Sequence, residues 1–114
     1  MSMIRLQNYA AEKWISGEGK LVPIFSAVNG EPVAETGSGG LDFKKMTEYA
    51  RAVGGPALRK MTFHERAFAL KALANAIMAR KEELYELSYA TGATRTDSWI
   101  DIEGGAGTLF SFSS

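Results

Sequence analysis

The 114-residue sequence contains no cysteine. This absence excludes disulfides, thiolate metal ligands and a cysteine nucleophile among these residues. It is compatible with a reducing compartment, and we expect the protein in the cytoplasm. Histidine is nearly absent as well: His64 is the only one, so a structural zinc site has almost no ligands to draw on.

The sequence also has no excess of charge of either sign, since 13 basic residues balance 13 acidic ones. Proteins that bind nucleic acid through its phosphates usually carry a positive excess, and anionic membrane surfaces attract polybasic segments. No stretch approaches the ~20 apolar residues of a membrane span, and residues 1–8 lack the apolar run of a signal peptide. We therefore expect no nucleic-acid partner, no membrane partner and no signal peptide.

The length suits one small domain, and the residue pattern changes near residue 40. Residues 1–40 have strand-like patterns, whereas residues 41–114 have helical periodicity. The sequence predicts a mainly helical α+β fold, with an N-terminal β-hairpin or meander followed by about four helices. Residues 38–40, Ser-Gly-Gly, are predicted to be the linker between the two segments.

The strand-like segment contains a hairpin signal. Two short apolar runs, residues 22–26 and 33–36, are separated by a turn that contains Asn29-Gly30. Pro23 and Pro32 lack an N–H, so they suit strand starts or sheet edges. Residues 14–16 form a further short β-prone run.

The helical segment predicts helices near 41–53, 63–79, 81–91 and 97–111. Gly54-Gly55-Pro56 is expected to stop the first helix, and Gly92 to end the third as a glycine just beyond its C-terminus. Thr62 and Glu65 have the spacing of a capping box at the start of the second helix. Thr96 or Asp97 is expected to cap the last helix.

The second helix carries an unusually wide apolar surface. Five residues lie on one face, and three more widen it: Phe63, Ala67, Leu70, Ala74 and Ile77, then Phe68, Leu73 and Met78. We expect this helix to be buried on most sides.

Two features suggest chemistry but have simpler interpretations. His64 titrates near neutral pH, yet its place in the first turn of a capped helix favours a surface position over a general base. Residues 104–107, Gly-Gly-Ala-Gly, do not match the spacing of a dinucleotide fingerprint, and we interpret them as glycines that allow two elements to pack closely.

The remaining polar candidates are also interpreted as structural. Asp97 and Asp101 share a helical face and lie near Glu103, but a hard-cation site needs more oxygen ligands, so capping and solvation are favoured. Tyr49, Tyr85 and Tyr89 have the spacing of helix-face residues. Tyr85 and Tyr89 are expected to pack along one edge, and nothing supports stacking on a nucleotide. Ser98 and Ser111 have no adjacent base and are not predicted to be nucleophiles.

Several stretches, taken in order, resemble the N-terminal region of aldehyde dehydrogenases. Residues 9–15 resemble the family's Y-x-x-G-x-W-v opening, with Glu12 where the family usually has Gly. Residues 25–35 resemble its v-x-n-P-a-T-G-e-x-i-a-x hairpin, with Val28 and Asn29 where Ala and Thr are usual. Residues 90–93 resemble the family's e-t-G-k, with Ala93 in place of Lys. Residues 66–84 resemble the family's pair of helices, whose pattern is R-x-x-x-L-x-x-l-A-x-x-l-x-x-r-x-e-e-L. The matching residues are Arg66, Leu70, Leu73, Ala74, Ile77, Arg80, Glu82, Glu83 and Leu84.

A narrower resemblance covers residues 52–58, 62–66 and 92–105. These are similar to the bifunctional ring-opening branch of the family in phenylacetate degradation, which joins an aldehyde dehydrogenase domain to an oxepin-CoA hydrolase domain. The resemblance implies oxidation of a CoA-linked semialdehyde with NADP or NAD. The family's nucleophilic Cys, general-base Glu, oxyanion-hole Asn and cofactor-binding elements all lie beyond the matched region. It therefore implies no catalytic, cofactor-binding or metal-binding residue, and no bound cofactor, within residues 1–114.

Three hypotheses follow. In the first, the chain is the N-terminal fragment of a longer NAD(P)-dependent aldehyde dehydrogenase of aromatic catabolism, and its exposed apolar helix faces bind the rest of that enzyme or a second copy. The last predicted helix, which reaches the final residues without a clear cap, fits a truncated domain. In the second, the chain is a stand-alone helical interaction or oligomerisation module. In the third, it is a small enzyme that uses His64 and the carboxylates of residues 97–103.

Overall fold

A computed structural model describes residues 3–114 of the chain. They divide into two compact units, one ending at Leu58 and one running from Arg59 to Ser114, and each is described by itself. The expectation for residues 1–8 lies partly outside the described residues. The predicted mainly helical α+β fold is confirmed. The elements are β1 Ile4–Arg5, β2 Gln7–Ala10, β3 Lys13–Ser16, β4 Val22–Phe25, β5 Pro32–Thr36, α1 Phe43–Tyr49, a π-helical turn Ala50–Gly54, α2 Gly55–Lys60, α3 Phe63–Ala79, α4 Lys81–Tyr89 and α5 Arg95–Phe112.

The strands of the first unit form two small sheets. β4 and β5 form the predicted antiparallel hairpin, and β1 pairs with β5 in parallel, in the order β1-β5-β4. Pro23 lies in the edge strand β4 and Pro32 begins β5, as the missing N–H of proline requires. β2 and β3 form a second hairpin, in which the rings of Tyr9 and Trp14 meet edge to face at 5.0 Å.

The β2–β3 turn has an unusual backbone. Its two central residues, Ala11 and Glu12, have φ angles of +49° and +66°. Two consecutive positive φ values match the right-handed twist of a hairpin but are costly for residues with a Cβ. The Gly that the family usually has at position 12 would carry no such cost.

The predicted linker at residues 38–40 is wrong, because these residues are docked against the loop after β3. The Glu18 N–H donates to the Gly39 carbonyl at 2.9 Å. A Cβ built on Gly39 would lie 2.1 Å from the Glu18 carbonyl oxygen, and Gly40 has a φ of +82°. Glycine is needed here for close backbone approach and a left-handed conformation, and not for flexibility.

The predicted end of the first helix at residue 53 is also wrong. The helix widens into the π-helical turn, in which the Gly55 N–H donates to the Ala50 carbonyl, and then continues as α2 to Lys60. Proline interrupts a regular α-helix because it lacks an N–H and clashes with the carbonyl four residues earlier. Pro56 follows this wider turn, which alters the hydrogen-bond spacing ahead of it and allows the helix to continue past a residue without an N–H.

In the second unit, α3 has its predicted bounds and start. Thr62 Oγ1 accepts from the Glu65 N–H at 3.1 Å, and the Glu65 carboxylate accepts from the Thr62 N–H at 2.7 Å, which confirms the capping box.

The expectation that α3 is buried on most sides is wrong. Only Ala74 is fully buried, whereas Phe63 is 85% exposed and Phe68 is 69% exposed. Of the described elements, α5 makes the main contact with α3, so only one side is covered.

Helices α4 and α5 complete the second unit. α4 ends at Tyr89, two residues before the predicted end, and Gly92 beyond it has a φ of +85°. α5 begins at Arg95, earlier than predicted, because Thr94 rather than Thr96 or Asp97 is the N-cap. Asp97 is the other half of that capping box. α5 packs against both α3 and α4, and its buried residues are Ser98 and Ala106.

None of the helices in residues 3–114 is both long and apolar enough to cross a membrane. The change from strands to helices falls between β5 and α1, near residue 40, whereas the compact units divide after Leu58. The assignment of 1–40 and 41–114 as two segments of one larger domain stays a prediction.

Candidate functional site

The main polar cluster of the second unit is centred on Glu103 of α5. The Tyr85 hydroxyl donates to Glu103 Oε2 at 2.5 Å, and Lys81 Nζ donates to Glu103 Oε1 at 3.0 Å. Lys81 and Tyr85 are four residues apart on α4, so one helical face presents both donors to the same carboxylate. Tyr85 is only 2% exposed, and its hydroxyl finds its partner inside the helix–helix contact.

Arg95, in the first turn of α5, covers the outer side of this cluster. Its guanidinium lies 4.4 Å from the centroid of the Tyr85 ring and 3.4 Å from Glu82 Oε1. A hydrogen bond with Tyr89 and the ion pair with Glu82 raise the pKa of Arg95. Tyr85 and Tyr89 therefore lie along one edge of α4, as their spacing predicted, and Arg95 contacts both.

The surroundings of Tyr85 and Glu103 shift the pKa of each group further from neutral pH. Burial, and then the hydrogen bond to Glu103, raise the pKa of Tyr85 to about 12. The Tyr85 hydrogen bond, and then the Lys81 hydrogen bond, lower the pKa of Glu103. A general acid or base needs a pKa near the working pH. The pair is thus arranged as a fixed neutral donor and a fixed carboxylate, which suits structure better than proton transfer.

A cavity of about 290 Å³ opens beside this cluster and is lined by Tyr85, Arg95, Thr96, Trp99 and Glu103. The Trp99 ring is 56% exposed. The polar groups at this cavity are already bound to one another: Glu103 has two donors, and Arg95 has Glu82 and the Tyr85 ring. The arrangement can hold α4 against α5, but it presents no activated nucleophile.

The structure places His64 on the surface, as its position in a capped first turn predicted. A cavity of about 260 Å³ beside it is lined otherwise by Phe63, Ala67 and the last three residues of the chain. His64 is therefore not brought together with the carboxylates of residues 97–103, as the small-enzyme hypothesis required. The described residues therefore do not form the catalytic arrangement that this hypothesis needs.

The glycine cluster of residues 104–107 lies within α5, with no strand before it. A Cβ built on Gly104, Gly105 or Gly107 meets nothing within 4 Å, so the interpretation that they allow close packing is wrong for the described residues. Their amides are within a helix and do not form the phosphate-binding turn of a dinucleotide site.

The three carboxylates of α5 are used separately. Asp97 accepts from the Thr94 N–H at 3.1 Å and from the Thr94 hydroxyl at 2.8 Å, and the Thr94 hydrogen bonds lower the pKa of Asp97. Glu103 binds Tyr85 and Lys81, and Asp101 is exposed. Within residues 3–114, no group of three acidic or histidine side chains is placed to hold a metal ion.

Two contacts of side-chain hydroxyl groups are not predicted by the sequence. Ser98 is fully buried, and its Oγ donates to Ser88 Oγ at 2.8 Å, which joins α5 to α4. In the first unit, burial and a hydrogen bond with Glu12 raise the pKa of Tyr49. The partners are 10 and 37 positions apart in the chain, so no local pattern could have indicated them. Ser111 is exposed on α5.

Comparison with known proteins gives two matches. The model of the aldehyde dehydrogenase family matches residues 14–114. The chain is also similar to the 3,4-dehydroadipyl-CoA semialdehyde dehydrogenase of Aromatoleum evansii, with 34% identity over 110 residues. That match covers 96% of this chain and 21% of the relative, so the chain spans about a fifth of the relative's length.

Proposed function

The chain belongs to the aldehyde dehydrogenase family, and we propose that it is the N-terminal structural part of a longer enzyme that oxidises a CoA-linked semialdehyde in phenylacetate catabolism. The name of the Aromatoleum evansii relative supports a CoA-linked semialdehyde as the substrate class. The similarity of residues 52–58, 62–66 and 92–105 to the bifunctional ring-opening proteins supports the phenylacetate assignment. The share of the relative that is matched supports a longer parent protein.

The cofactor of this proposal, NADP or NAD, does not fit the residues described. A dinucleotide site uses a glycine-rich turn between a strand and the N-terminus of a helix. Here Gly104, Gly105 and Gly107 are inside α5. In this proposal, the catalytic step and the hydrogen bonds to the cofactor belong to other parts of the enzyme, and the present residues contribute the framework.

The exposed apolar side chains of α3 are the observation that carries the proposal. Large apolar side chains stay open to solvent on this helix, with Phe63 85%, Phe68 69% and Leu73 50% exposed. Exposed apolar area of this kind marks a surface that another polypeptide covers. In the proposed enzyme, the rest of the domain covers it.

The first experiment is to measure the size of the native protein in its source cells with an antibody against this chain. We expect a band several times larger than 12.4 kDa, more intense after growth on phenylacetate than on acetate. The purified larger protein should oxidise a CoA-linked semialdehyde with NADP or NAD, whereas the 114-residue chain should not. A large protein that is not induced by phenylacetate and is inactive on this substrate would refute the proposal.

The alternative function is a stand-alone helical interaction or oligomerisation module, supported by the same apolar surface. It requires the native band to have the mass of this chain, 12.4 kDa. Co-purification from the source cells would then identify the partner. Fractionation of the same cells tests the proposed cytoplasmic location, and the protein should be recovered with cytoplasmic markers.

We further propose that the isolated chain self-associates through the exposed apolar side chains of α3. Analytical ultracentrifugation should show a mass that rises with concentration. Phe68→Ser should shift the equilibrium toward the monomer, because it removes a 69% exposed aromatic ring. Glu86→Ser, at an exposed polar position of α4, is the control and should leave the equilibrium unchanged. A monomer at all concentrations contradicts this proposal.

A further inference from the structure

The β4–β5 turn contains two residues that play no part in the proposed function. Asn29 and Gly30 form an Asn-Gly step, and both are exposed. Asparagine is a chemically labile residue. A neighbouring glycine leaves the backbone nitrogen unhindered, and a Cβ built on Gly30 would meet nothing within 4 Å.

We infer that Asn29 is a site of spontaneous modification, in which the Gly30 nitrogen attacks the Asn29 side chain and the residue becomes aspartate or isoaspartate. The Gly30 nitrogen loses its proton to solvent and forms a bond to Asn29 Cγ. The Cγ–Nδ2 bond then breaks, and Nδ2 leaves as ammonia after taking a proton from solvent. The product is a five-membered cyclic imide. Water adds to one of its two carbonyl carbons and breaks that C–N bond, so one water enters and one ammonia leaves, with no oxidant or reductant.

One hydrogen bond of the turn favours this reaction. The Glu31 N–H donates to Asn29 Oδ1 at 3.0 Å. Negative charge develops on this oxygen when Cγ becomes tetrahedral, and a donor already in place stabilises it. The turn thus supplies one donor to the oxygen on which charge develops.

A second hydrogen bond opposes the reaction. The Gly30 N–H donates to the Ser26 carbonyl at 2.9 Å, and this bond must break before the nitrogen can attack. Losing one hydrogen bond of ordinary strength slows a step that requires its loss by roughly two- to ten-fold. The reaction in the folded chain is therefore gated by opening of the turn.

The other two asparagines are internal controls. The Asn8 side-chain amide donates to the Gly37 carbonyl at 2.8 Å and to the Ile15 carbonyl at 3.3 Å, and Tyr9 follows it. Asn75 is inside α3, and Ala76 follows it. In both, the residue that follows carries a Cβ, and for Asn75 the α-helix also holds the backbone nitrogen of that residue.

The modification changes the turn in two ways. It replaces a neutral amide by a carboxylate, so the formal net charge falls from 0 to −1. Isoaspartate also inserts a Cβ into the main chain between β4 and β5. The hydrogen bond that closes the turn, from the Ser26 N–H to the Glu31 carbonyl at 2.8 Å, then spans a longer path.

The test is to incubate the 114-residue chain in warm, mildly alkaline buffer and follow each asparagine by peptide mass spectrometry with fragmentation that separates isoaspartate from aspartate. A synthetic peptide of residues 26–31 is the reference without a stable turn. Asn29 should convert before Asn8 and Asn75, with isoaspartate among the products, and roughly two- to ten-fold more slowly than in the peptide. Isoaspartate is diagnostic, because direct hydrolysis of the side chain gives aspartate alone.

Two variants sharpen the result. Asn29→Gln keeps an amide but would need a larger ring, so conversion at position 29 should be lost. Gly30→Ala should slow conversion, and because it strains a residue with a φ of +73°, its fold is checked by circular dichroism. An unchanged Asn29 after the peptide has fully converted, or aspartate without isoaspartate, would overturn the inference.

Discussion

The Tyr85 hydroxyl and the Glu103 carboxylate, 18 positions apart, meet at 2.5 Å between α4 and α5. The pair joins two helices whose contact contains few large buried side chains. Because the ring of Tyr85 is buried and its hydroxyl is bonded to a carboxylate, the protonation states of both groups are linked to folding.

The first prediction concerns pH. The folded-state pKa of Glu103 is lowered from its ordinary value of 4.5, so its stabilisation is present above that value and is lost as pH falls through the folded pKa. The folded-state pKa of Tyr85 is raised from 10.0 to about 12, so its stabilisation is present below pH 10.0 and is lost as pH rises toward 12. The urea midpoint should fall as the pH drops below 4.5 toward the folded-state pKa of Glu103, and it should fall again as the pH rises from 10.0 toward 12.

Matched variants assign each side of that profile. Glu103→Gln should flatten part of the acid side, to which Asp97 also contributes because the Thr94 hydrogen bonds lower its pKa. Tyr85→Phe should flatten part of the alkaline side. Tyr49, whose pKa is also raised by burial, should account for a further part of the alkaline side. Glu86→Gln, at an exposed position of α4, is the control. An acid side that Glu103→Gln leaves unchanged would show that the carboxylate is not linked to folding.

The second prediction tests the Ser88–Ser98 contact by a double-mutant cycle. Ser88→Ala leaves the buried Ser98 hydroxyl without its acceptor, and we expect a loss of about 1–3 kcal/mol in the free energy of unfolding. Ser98→Ala should cost about 1 kcal/mol, because half-buried Ser88 can reach water. The double variant should lose less than the sum of the two. Strict additivity would mean that the hydroxyls do not interact.

The third prediction concerns the β2–β3 turn. Glu12→Gly should raise the free energy of unfolding by about 1 kcal/mol, because Glu12 has a φ of +66°. The comparison is made in a Tyr49→Phe background, so that loss of the Glu12–Tyr49 hydrogen bond does not offset the gain. Glu48→Gly, in α1, should instead lower stability by about 1 kcal/mol. If both variants lower stability, the turn is not strained.

The fourth prediction contrasts two glycines. Gly39→Ala should destabilise the chain by about 1–3 kcal/mol, because its Cβ would lie 2.1 Å from the Glu18 carbonyl oxygen. Gly104→Ala should stabilise it by about 0.8–1 kcal/mol, because the position is helical and open. Thermal or urea unfolding of the two variants measures both signs. Equal effects would contradict the docking of residues 39–40.

The features that sequence predicted well are those specified by nearby residues. The Thr62–Glu65 capping box depends on two residues three apart, and the β4–β5 hairpin on its Asn-Gly turn and two apolar runs. The site residues that sequence missed depend on distant partners. Glu103 looked like a solvated carboxylate because Tyr85 and Lys81 lie on another helix.

Predictions from local sequence were also wrong where the backbone adopts an uncommon conformation. Gly54-Gly55-Pro56 normally ends a helix, but the π-helical turn Ala50–Gly54 changes the hydrogen-bond spacing before Pro56. Residues 38–40 have the composition of a flexible linker, yet their glycines are selected by contact with Glu18. The sequence indicates a broad apolar surface on α3, but burial depends on how many neighbours cover that surface.

Pro23 in the edge strand β4 has a consequence for how copies of this chain can meet. A sheet edge with regularly spaced N–H groups recruits further strands and allows edge-to-edge polymerisation into fibrils. β4 exposes apolar side chains, Val22 and Phe25 among them, but its second residue has no N–H to donate, and its pairing is irregular between Ile24 and Phe25. An incoming strand would meet a broken ladder there. Open-ended strand addition is therefore disfavoured on this edge, and the self-association proposed above would use helix surfaces, where a contact can close on itself.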